Sequence, residues 1–305
     1  MTVLTEEPKG NFWAPQGVLA RTVSKRPQSG NPLFHSFPSH LPTARPSFYG
    51  WRQHVTGATT SAQPINPPGL TRYPAMGENW ALKLSTPDKP IGEIPSNQQQ
   101  FAVYKNMSRH FTPTEVKLMS FSGYFASMPA REAPGANWAV GMDCQTWGNK
   151  YRSFFKAECR YPGGTGAAQW YLVNNAGSAV VIEPTNVTKR HTAGMNQYKA
   201  NLNYVELTVL LKANESEEAG AYYSLQVNDL YFDLFNETTH WAESTQRGAQ
   251  TPQGSEADPT TSAAHLLNYD GGTNFGIFGS APSVEGSHPY RLLCMDLMAT
   301  VFDVD

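Results

Sequence analysis

The segment YVELTVLLK, residues 204–212, sets Val205, Leu207, Val209 and Leu211 on one side and Tyr204, Glu206, Thr208, Leu210 and Lys212 on the other. A period of two with one wholly apolar side marks a strand that buries one face and shows the other to polar surroundings. The next stretch, GAYYSLQVNDLYFDL, residues 220–234, reads as a strand, a tight polar turn at Asn228-Asp229 and a returning strand. Its alternation predicts Tyr223, Leu225 and Val227 on the buried side and Ser224, Gln226 and Asn228 on the other.

The same punctuation extends outward from this hairpin. Short runs bounded by Gly, Asn and Pro predict strands over 101–105, 115–125, 137–144, 151–160, 168–174, 178–183, 274–279 and 290–304. The last, YRLLCMDLMATVFDV, is apolar on both faces, as a central strand should be. After residue 100 there is no helical stripe of useful length. Strands without helical spacers predict an all-β fold, a two-sheet antiparallel jelly-roll sandwich spanning residues 96–305. The polar insertion around residues 236–264 is too long for a turn and is expected as a surface excursion.

Residues 1–95 differ in kind. They hold most of the 23 prolines, as in NPLFHSFPSHLPTARPSFYG and SAQPINPPGLTRYP. Proline fixes φ and removes a donor, so this third is expected as a long extended Pro-rich N-terminal arm and not as central sheet. Phe12, Trp13, Phe34, Phe37, Phe48, Tyr49 and Trp51 punctuate it at intervals. Rings so placed predict anchors, with the arm held in grooves of the body or of neighbouring subunits.

The chain of 305 residues carries 23 Lys and Arg against 25 Asp and Glu, a formal net charge of -2. That balance supplies no general pull on phosphates, so nucleic acid is not expected as the primary partner. Charged residues are 16% and aromatics 12% of the chain, which suits a protein with surfaces committed to other proteins. The opening MTVLTEEPKGNFWAPQGVLA carries acids before any apolar run and does not read as a secretion signal. No run is long and apolar enough for a membrane span. The expected setting is a virion or other extracellular particle, made in the cytoplasm without a signal peptide. Cys144, Cys159 and Cys294 are too few and too scattered for a disulfide framework or a zinc knuckle, and read as buried thiols.

A strand NYVELTVLLKAN, an acidic turn ESEEAG, a strand ending YYSLQVND, a Gly-rich DGGTNFGIFG and a long closing strand follow in that order. This succession resembles the C-terminal half of concanavalin A-like lectin/glucanase jelly rolls, the group that includes laminin-G-like modules and polysaccharide lyases. The resemblance covers roughly residues 100–305. It implies the sandwich, and for function a carbohydrate-binding or polysaccharide-cleaving protein with the concave sheet as its site.

Retaining glucanases need two carboxylates about 5 Å apart, and the E-x-D-x-x-E strand that supplies them in this group is missing. Tyr222 and Tyr223, beside an Arg or His of another strand, are the one lyase-like pairing; core and rim packing is the plainer account. The eight His show no metal-ligand spacing, and GGTGAAQW, 163–170, lacks a phosphate-loop Lys. Asp143, Asp229, Asp233, Asp270, Asp303 and Asp305 would suit Ca2+ as oxygen ligands but read as solvated strand ends, so no cofactor or metal is expected. Trp138, Trp147, Tyr151, Trp170, Tyr171 and Trp241 are the remaining signal. Core is the ordinary place for such rings in a sandwich, and a stacking face for glycan or for a protein interface is the functional alternative.

From residues alone the leading expectation is therefore a non-enzymatic structural protein of a multi-subunit assembly, such as a phage or virus capsid decoration protein. Its partners would be copies of itself or other particle proteins. The alternative is the carbohydrate-binding or polysaccharide-cleaving jelly roll.

Overall fold

A computed structural model describes residues 30–39, 45–54, 61–65, 81–85, 99–107, 116–128, 137–144, 151–160, 169–173, 179–184, 203–212, 221–228, 230–234, 249–252, 273–281 and 291–303. The strands are β1 (Asn31–Ser36), β2 (Arg52–His54), β3 (Ser61–Ile65), β4 (Ala81–Ser85), β5 (Gln99–Asn106), β6 (Val116–Met128), β7 (Asn137–Cys144) and β8 (Tyr151–Arg160). They continue as β9 (Gln169–Val173), β10 (Ala179–Pro184), β11 (Asn203–Lys212), β12 (Ala221–Val227), β13 (Leu230–Asp233), β14 (Ala249–Pro252), β15 (Thr273–Ala281) and β16 (Arg291–Asp303). A 3-10 turn, Pro46–Tyr49, ends at Gly50, whose φ of 74° is one that a side chain would resist.

Two eight-stranded sheets form, with every described pairing antiparallel. The first runs β13-β12-β11-β6-β16-β4-β3 with β1 also on β16; the second runs β10-β9-β8-β7-β15-β5-β2 with β14 also on β8. Between them lies one continuous core. Val205, Leu207 and Val209 of β11 point into it, as their alternation predicts, against a layer that includes Trp138, Phe155, Trp170 and Phe275 of the second sheet. Phe125 stacks on Trp138 at 5.1 Å, and Trp138 meets Trp170 edge-on at 5.3 Å. Gly123 lets Leu297 reach the core beside Phe125, since a Cβ there would lie 2.6 Å from Leu297 Cδ2.

Each sheet has one strand that changes partner along its length. On one side β16 pairs β6; on the other it pairs β4 through Arg291–Cys294 and β1 through Leu297–Val301. The register slips between Met295 and Met298, where Asp296 adopts φ 49°. Leu292 and Cys294 face the core before the slip, and Leu297, Ala299 and Val301 face it after, so the extra residue inverts the alternation. The Asp296 N–H donates to the Phe37 carbonyl at 2.8 Å. Its Oδ1 accepts from the Ser39 N–H at 3.1 Å and lies 3.2 Å from His35 Nε2. The gap between β4 and β1 is thus closed by one side chain.

The second sheet closes its own gap with a phenol. β8 pairs β14 through Tyr151–Phe154 and β9 through Ala157–Arg160. Between them, Tyr222 reaches across the core from β12 and its hydroxyl accepts from the Lys156 N–H at 2.8 Å and donates to the Lys156 carbonyl at 3.2 Å. Its own strand carries the compensation: the β11–β12 register shifts between Thr208 and Val209, so Tyr222 points inward with Leu225 and Val227 while Tyr223 points out. The expected placement of Tyr223 on the buried side is corrected by this bulge, which a simple alternation cannot show.

The described strands of the N-terminal third depart from the expectation that this region holds no central sheet; the rest of residues 1–95 lies outside the described residues. β1, β3 and β4 belong to the first sheet and β2 to the second, and β4 lies between β16 and β3 as an interior strand. Proline acts residue by residue and not on a whole region. β4 contains none, Pro32 falls at the register shift of β1, and Pro64 lies in the edge strand β3, the positions where a missing donor costs least. Part of the polar insertion is likewise sheet, since β14 pairs β8; the rest of 236–264 lies outside the described residues.

Two outcomes follow for stability. Tyr222→Phe removes both hydrogen bonds to a buried backbone and should cost about 1–3 kcal/mol in urea unfolding, with strand content unchanged by far-UV circular dichroism. Asp296→Gly keeps the left-handed backbone while deleting the carboxylate. It should raise amide exchange selectively over residues 31–39, and uniform exchange across the sheet would contradict the role given to this side chain.

Candidate functional site

The outward face of the first sheet is set by the same alternation. Cross-strand pairing lines up Met298, Ser122, Glu206, Gln226 and Tyr231 in one row, and Thr300, Ser120, Thr208, Ser224 and Asp233 in the next. The second row is almost entirely short hydroxyls. Ser120, Ser122, Thr208, Ser224 and Thr300 are nearly buried although they face outward, because taller neighbours stand around them. The result is a trough of about 490 Å3 walled by Tyr204, Tyr223, Tyr231, Met298 and Phe302, with Gly30 and Pro32 at one end. It crosses the sheet from β13 to β16, four inter-strand spacings or roughly 19 Å.

Its polar groups are held by neighbours. Tyr204 OH donates to Glu206 Oε2 at 2.8 Å, and the Tyr204 ring packs on Tyr124 at 5.2 Å. The Asn228 Oδ1 accepts from the Tyr204 N–H at 3.0 Å, and Gln226 Nε2 donates to the Asn228 carbonyl at 2.8 Å. Asn228 itself has φ 54°, tolerable for Asn in a hairpin turn, and its side chain also donates to Asn203 Oδ1 at 3.0 Å. Burial, with the nearby Asp233 charge added, pushes the Tyr223 phenol above its ordinary pKa, so it remains a protonated donor at neutral pH.

The outward face of the second sheet is built differently. Phe154, Phe278, Tyr104, Ala102 and Ala139 form an apolar patch. Beside it Glu158, 5% exposed, lies 3.3 Å from Lys156 Nζ and 3.2 Å from Arg160 Nε, and the Arg160 guanidinium covers the Tyr171 ring at 4.1 Å. Burial alone would raise the Glu158 carboxyl, but the two cations outweigh it and hold it below the usual carboxylate range. These charges are committed to one another.

Residues singled out in the sequence are scattered by the structure. Trp138 and Trp170 are fully buried core, while Tyr171 is half-buried under Arg160 on the second sheet. Trp147 and Trp241 lie outside the described residues, as does the side chain of Tyr151. Phe37 and Trp51 are buried in this chain's own core and Phe34 packs there, 5.9 Å from Trp51 and 5.2 Å from Phe275. Tyr49 leans on Phe37, and Phe48, 78% exposed, is the described ring of that group still turned outward; Phe12 and Trp13 lie outside the described residues. Tyr222 is buried scaffold and Tyr223 a wall of the trough, so the two do not act as a pair.

Of the acids considered for Ca2+, Asp143 is buried and Asp233 stands beside the trough; Asp229, Asp270 and Asp305 and the Asp303 side chain lie outside the described residues. No group of three or more His, Cys, Asp or Glu placed for a metal ion occurs among the described residues. Cys159 and Cys294 are buried thiols, and burial pushes Cys294 far up. Apart from Tyr223, the trough residues do not stand out in the sequence. The signal available was the polar side of residues 204–212, which carries Tyr204, Glu206 and Thr208.

No family model matches this chain, and no curated protein matches it. Among solved structures it is similar to the carbohydrate esterase of Shiga toxin-encoding bacteriophage phi24B, at TM-score 0.46 and 10% identity over 90% of this chain and 100% of that one. It is also similar to the endo-1,3-beta-glucanase from Streptomyces sioyaensis (0.41, 10%, 93% and 100%) and to a family 7 alginate lyase (0.40, 10%, 87% and 99%). These are concanavalin A-like sandwiches, the group that residues 100–305 resemble. The expectation of a non-enzymatic chain runs against these three similarities, which are to an esterase, a glucanase and a lyase.

The Glu158 cluster gives a pH dependence. A carboxyl depressed in the folded state contributes stability that is present above its unfolded pKa and is lost as pH falls through the folded value. Glu158→Gln should therefore cost about 1–3 kcal/mol near pH 7 and far less near pH 3, read from urea unfolding at both. An equal loss at the two pH values would remove the charge argument.

Proposed function

We propose that this chain binds a glycan along the trough on the outward face of the first sheet, as a carbohydrate-binding or polysaccharide-acting jelly roll. The observation that carries the reading is the combination of recessed hydroxyls with tall aromatic walls across five adjacent strands. A sugar ring offers apolar C–H faces for rings such as Tyr204 and Tyr231 and a rim of hydroxyls that both give and take hydrogen bonds. Ser120, Thr208, Ser224 and Thr300 also give and take, so they serve many orientations of one ring. Tyr204 is held in place before any ligand arrives, by the Tyr124 ring, by Glu206 and by Asn228, which limits the ordering cost of binding at that wall.

For turnover, Glu206 is the carboxylate in the lining and the tyrosines are its other proton-transfer groups; the Tyr204 phenol donates to the Glu206 carboxylate. Binding is the part of the activity that the whole trough supports.

Isothermal titration against a panel of oligosaccharides, chosen after a glycan array, tests the reading. Tyr231→Ala should weaken the retained glycan about tenfold, the scale of one lost stacking contact. Tyr171→Ala, on the opposite face, should leave affinity unchanged. An array without a retained glycan, or equal losses for the two variants, would refute the site.

A further inference from the structure

The hydroxyls on the floor of the trough are evenly spaced, because the sheet spaces them. Thr300, Ser120, Thr208 and Ser224 are partners in register across the adjacent strands β16, β6, β11 and β12. Strands lie roughly 4.8 Å apart, so these hydroxyls step in a line over roughly 14 Å. The line ends on both sides. Pro32 follows Thr300 in register, and the Gly30 backbone closes on the same strand, since a Cβ there would lie 2.3 Å from Thr300 Cγ2 and 2.4 Å from Phe302 Cε1. Beyond Ser224 the next position is Asp233 of the edge strand β13. Register also sorts the walls: Met298 and Gln226 flank the row on one side, Phe302 and Tyr223 on the other.

We propose that the trough selects an extended pyranose chain joined equatorially at both positions, the β-1,4 type, and that the hydroxyl row measures it, one ring to each strand. The inference rests on the glycan reading above. In such a chain each ring advances by about one strand spacing, roughly 4.8 Å, so the edges of successive rings fall on successive floor hydroxyls. Alternate rings are turned over, and the floor accepts both orientations because a Ser or Thr hydroxyl gives as well as takes a hydrogen bond. The chain stands on edge. Its C–H faces then meet the side walls, where Phe302, Tyr223 and Met298 offer apolar surface, and its hydroxyl edge reaches the recessed row. An axial linkage, as in an α-1,4 chain, turns the chain at every ring. Such a chain brings only one or two ring edges onto a straight and narrow floor before it curves into a wall.

Titration calorimetry with neutral oligosaccharides tests this. Cellohexaose, mannohexaose and chitohexaose are β-1,4-linked, and maltohexaose is the α-1,4-linked counterpart of the first, built from the same glucose. Wild type should bind the tightest β-1,4 hexamer at least about tenfold more tightly than maltohexaose, the scale of one or two hydrogen bonds. Shorter members of the series that binds should gain affinity with each ring up to about four, the number of hydroxyls in the row, and no further. Thr208→Val keeps the side-chain shape while deleting a hydroxyl in the middle of the row, and should weaken the tetramer about threefold to tenfold. Thr300→Val deletes the last hydroxyl and should move the plateau from about four rings to about three.

Maltohexaose bound as tightly as every β-1,4 hexamer would overturn the inference while leaving the glycan site standing. So would an array that retains glycans of other linkage while all three β-1,4 hexamers fail to bind. A plateau that Thr300→Val leaves in place, or a tetramer indifferent to Thr208→Val, would take the measuring role away from the hydroxyl row. Failure of every hexamer and of the wider array would instead refute the glycan reading itself, so the two failures are distinguishable.

Discussion

The slip of β16 at Asp296 is the constraint on which the arrangement of the first sheet depends. β16 is shared by β6 on one side and by β4 and β1 on the other, so three neighbours read its alternation. Because one extra residue is inserted, Met298, Thr300 and Phe302 face outward and Leu297, Ala299 and Val301 face the core. Without it the far half of the strand would present Leu297, Ala299 and Val301 to solvent and force Thr300 inward, burying a hydroxyl among rings. One backbone irregularity therefore builds one end of the trough. Its cost, a left-handed Asp, is offset by hydrogen bonds to the Phe37 carbonyl and the Ser39 N–H that also tie the N-terminal strand down.

A second inversion, in β12, works by the same logic. It turns Tyr222 inward to satisfy Lys156 of the opposite sheet and Tyr223 outward to wall the trough. Two adjacent tyrosines thus have opposite fates, one spent on joining the sheets and one offered to the surface. The two outward faces diverge for a related reason. On the second sheet Lys156, Glu158 and Arg160 recur every other residue along one strand, and both cations pair with the one carboxylate. On the first sheet Glu206 is flanked by Tyr204 and Thr208 and accepts a hydrogen bond from the Tyr204 phenol.

The N-terminal rings show how composition can mislead. Prolines and intermittent aromatics read as an arm seeking a groove, and for Phe34, Phe37 and Trp51 the groove is the chain's own inter-sheet core. Phe34 contacts Trp51, Phe121 and Phe275, so rings far apart in sequence close one end of the sandwich together. Proline density over a region carried no information about which individual residues lacked it, and β4 lies in such a gap.

Period-two alternation by itself determined that this is an all-β chain, and it placed β5–β13, β15 and β16 close to where they occur, because the side-chain direction in a strand is a local property of the backbone. It also assigned Val205, Leu207 and Val209 to the core and Tyr204, Glu206 and Thr208 to the other face. The tertiary structure alone decided which strands are neighbours, where the alternation inverts, and hence that Ser120, Thr208, Ser224 and Thr300 form one row. Those rows are made by registers between segments far apart in the chain, and a bulge becomes visible only against the partner strand from which it departs.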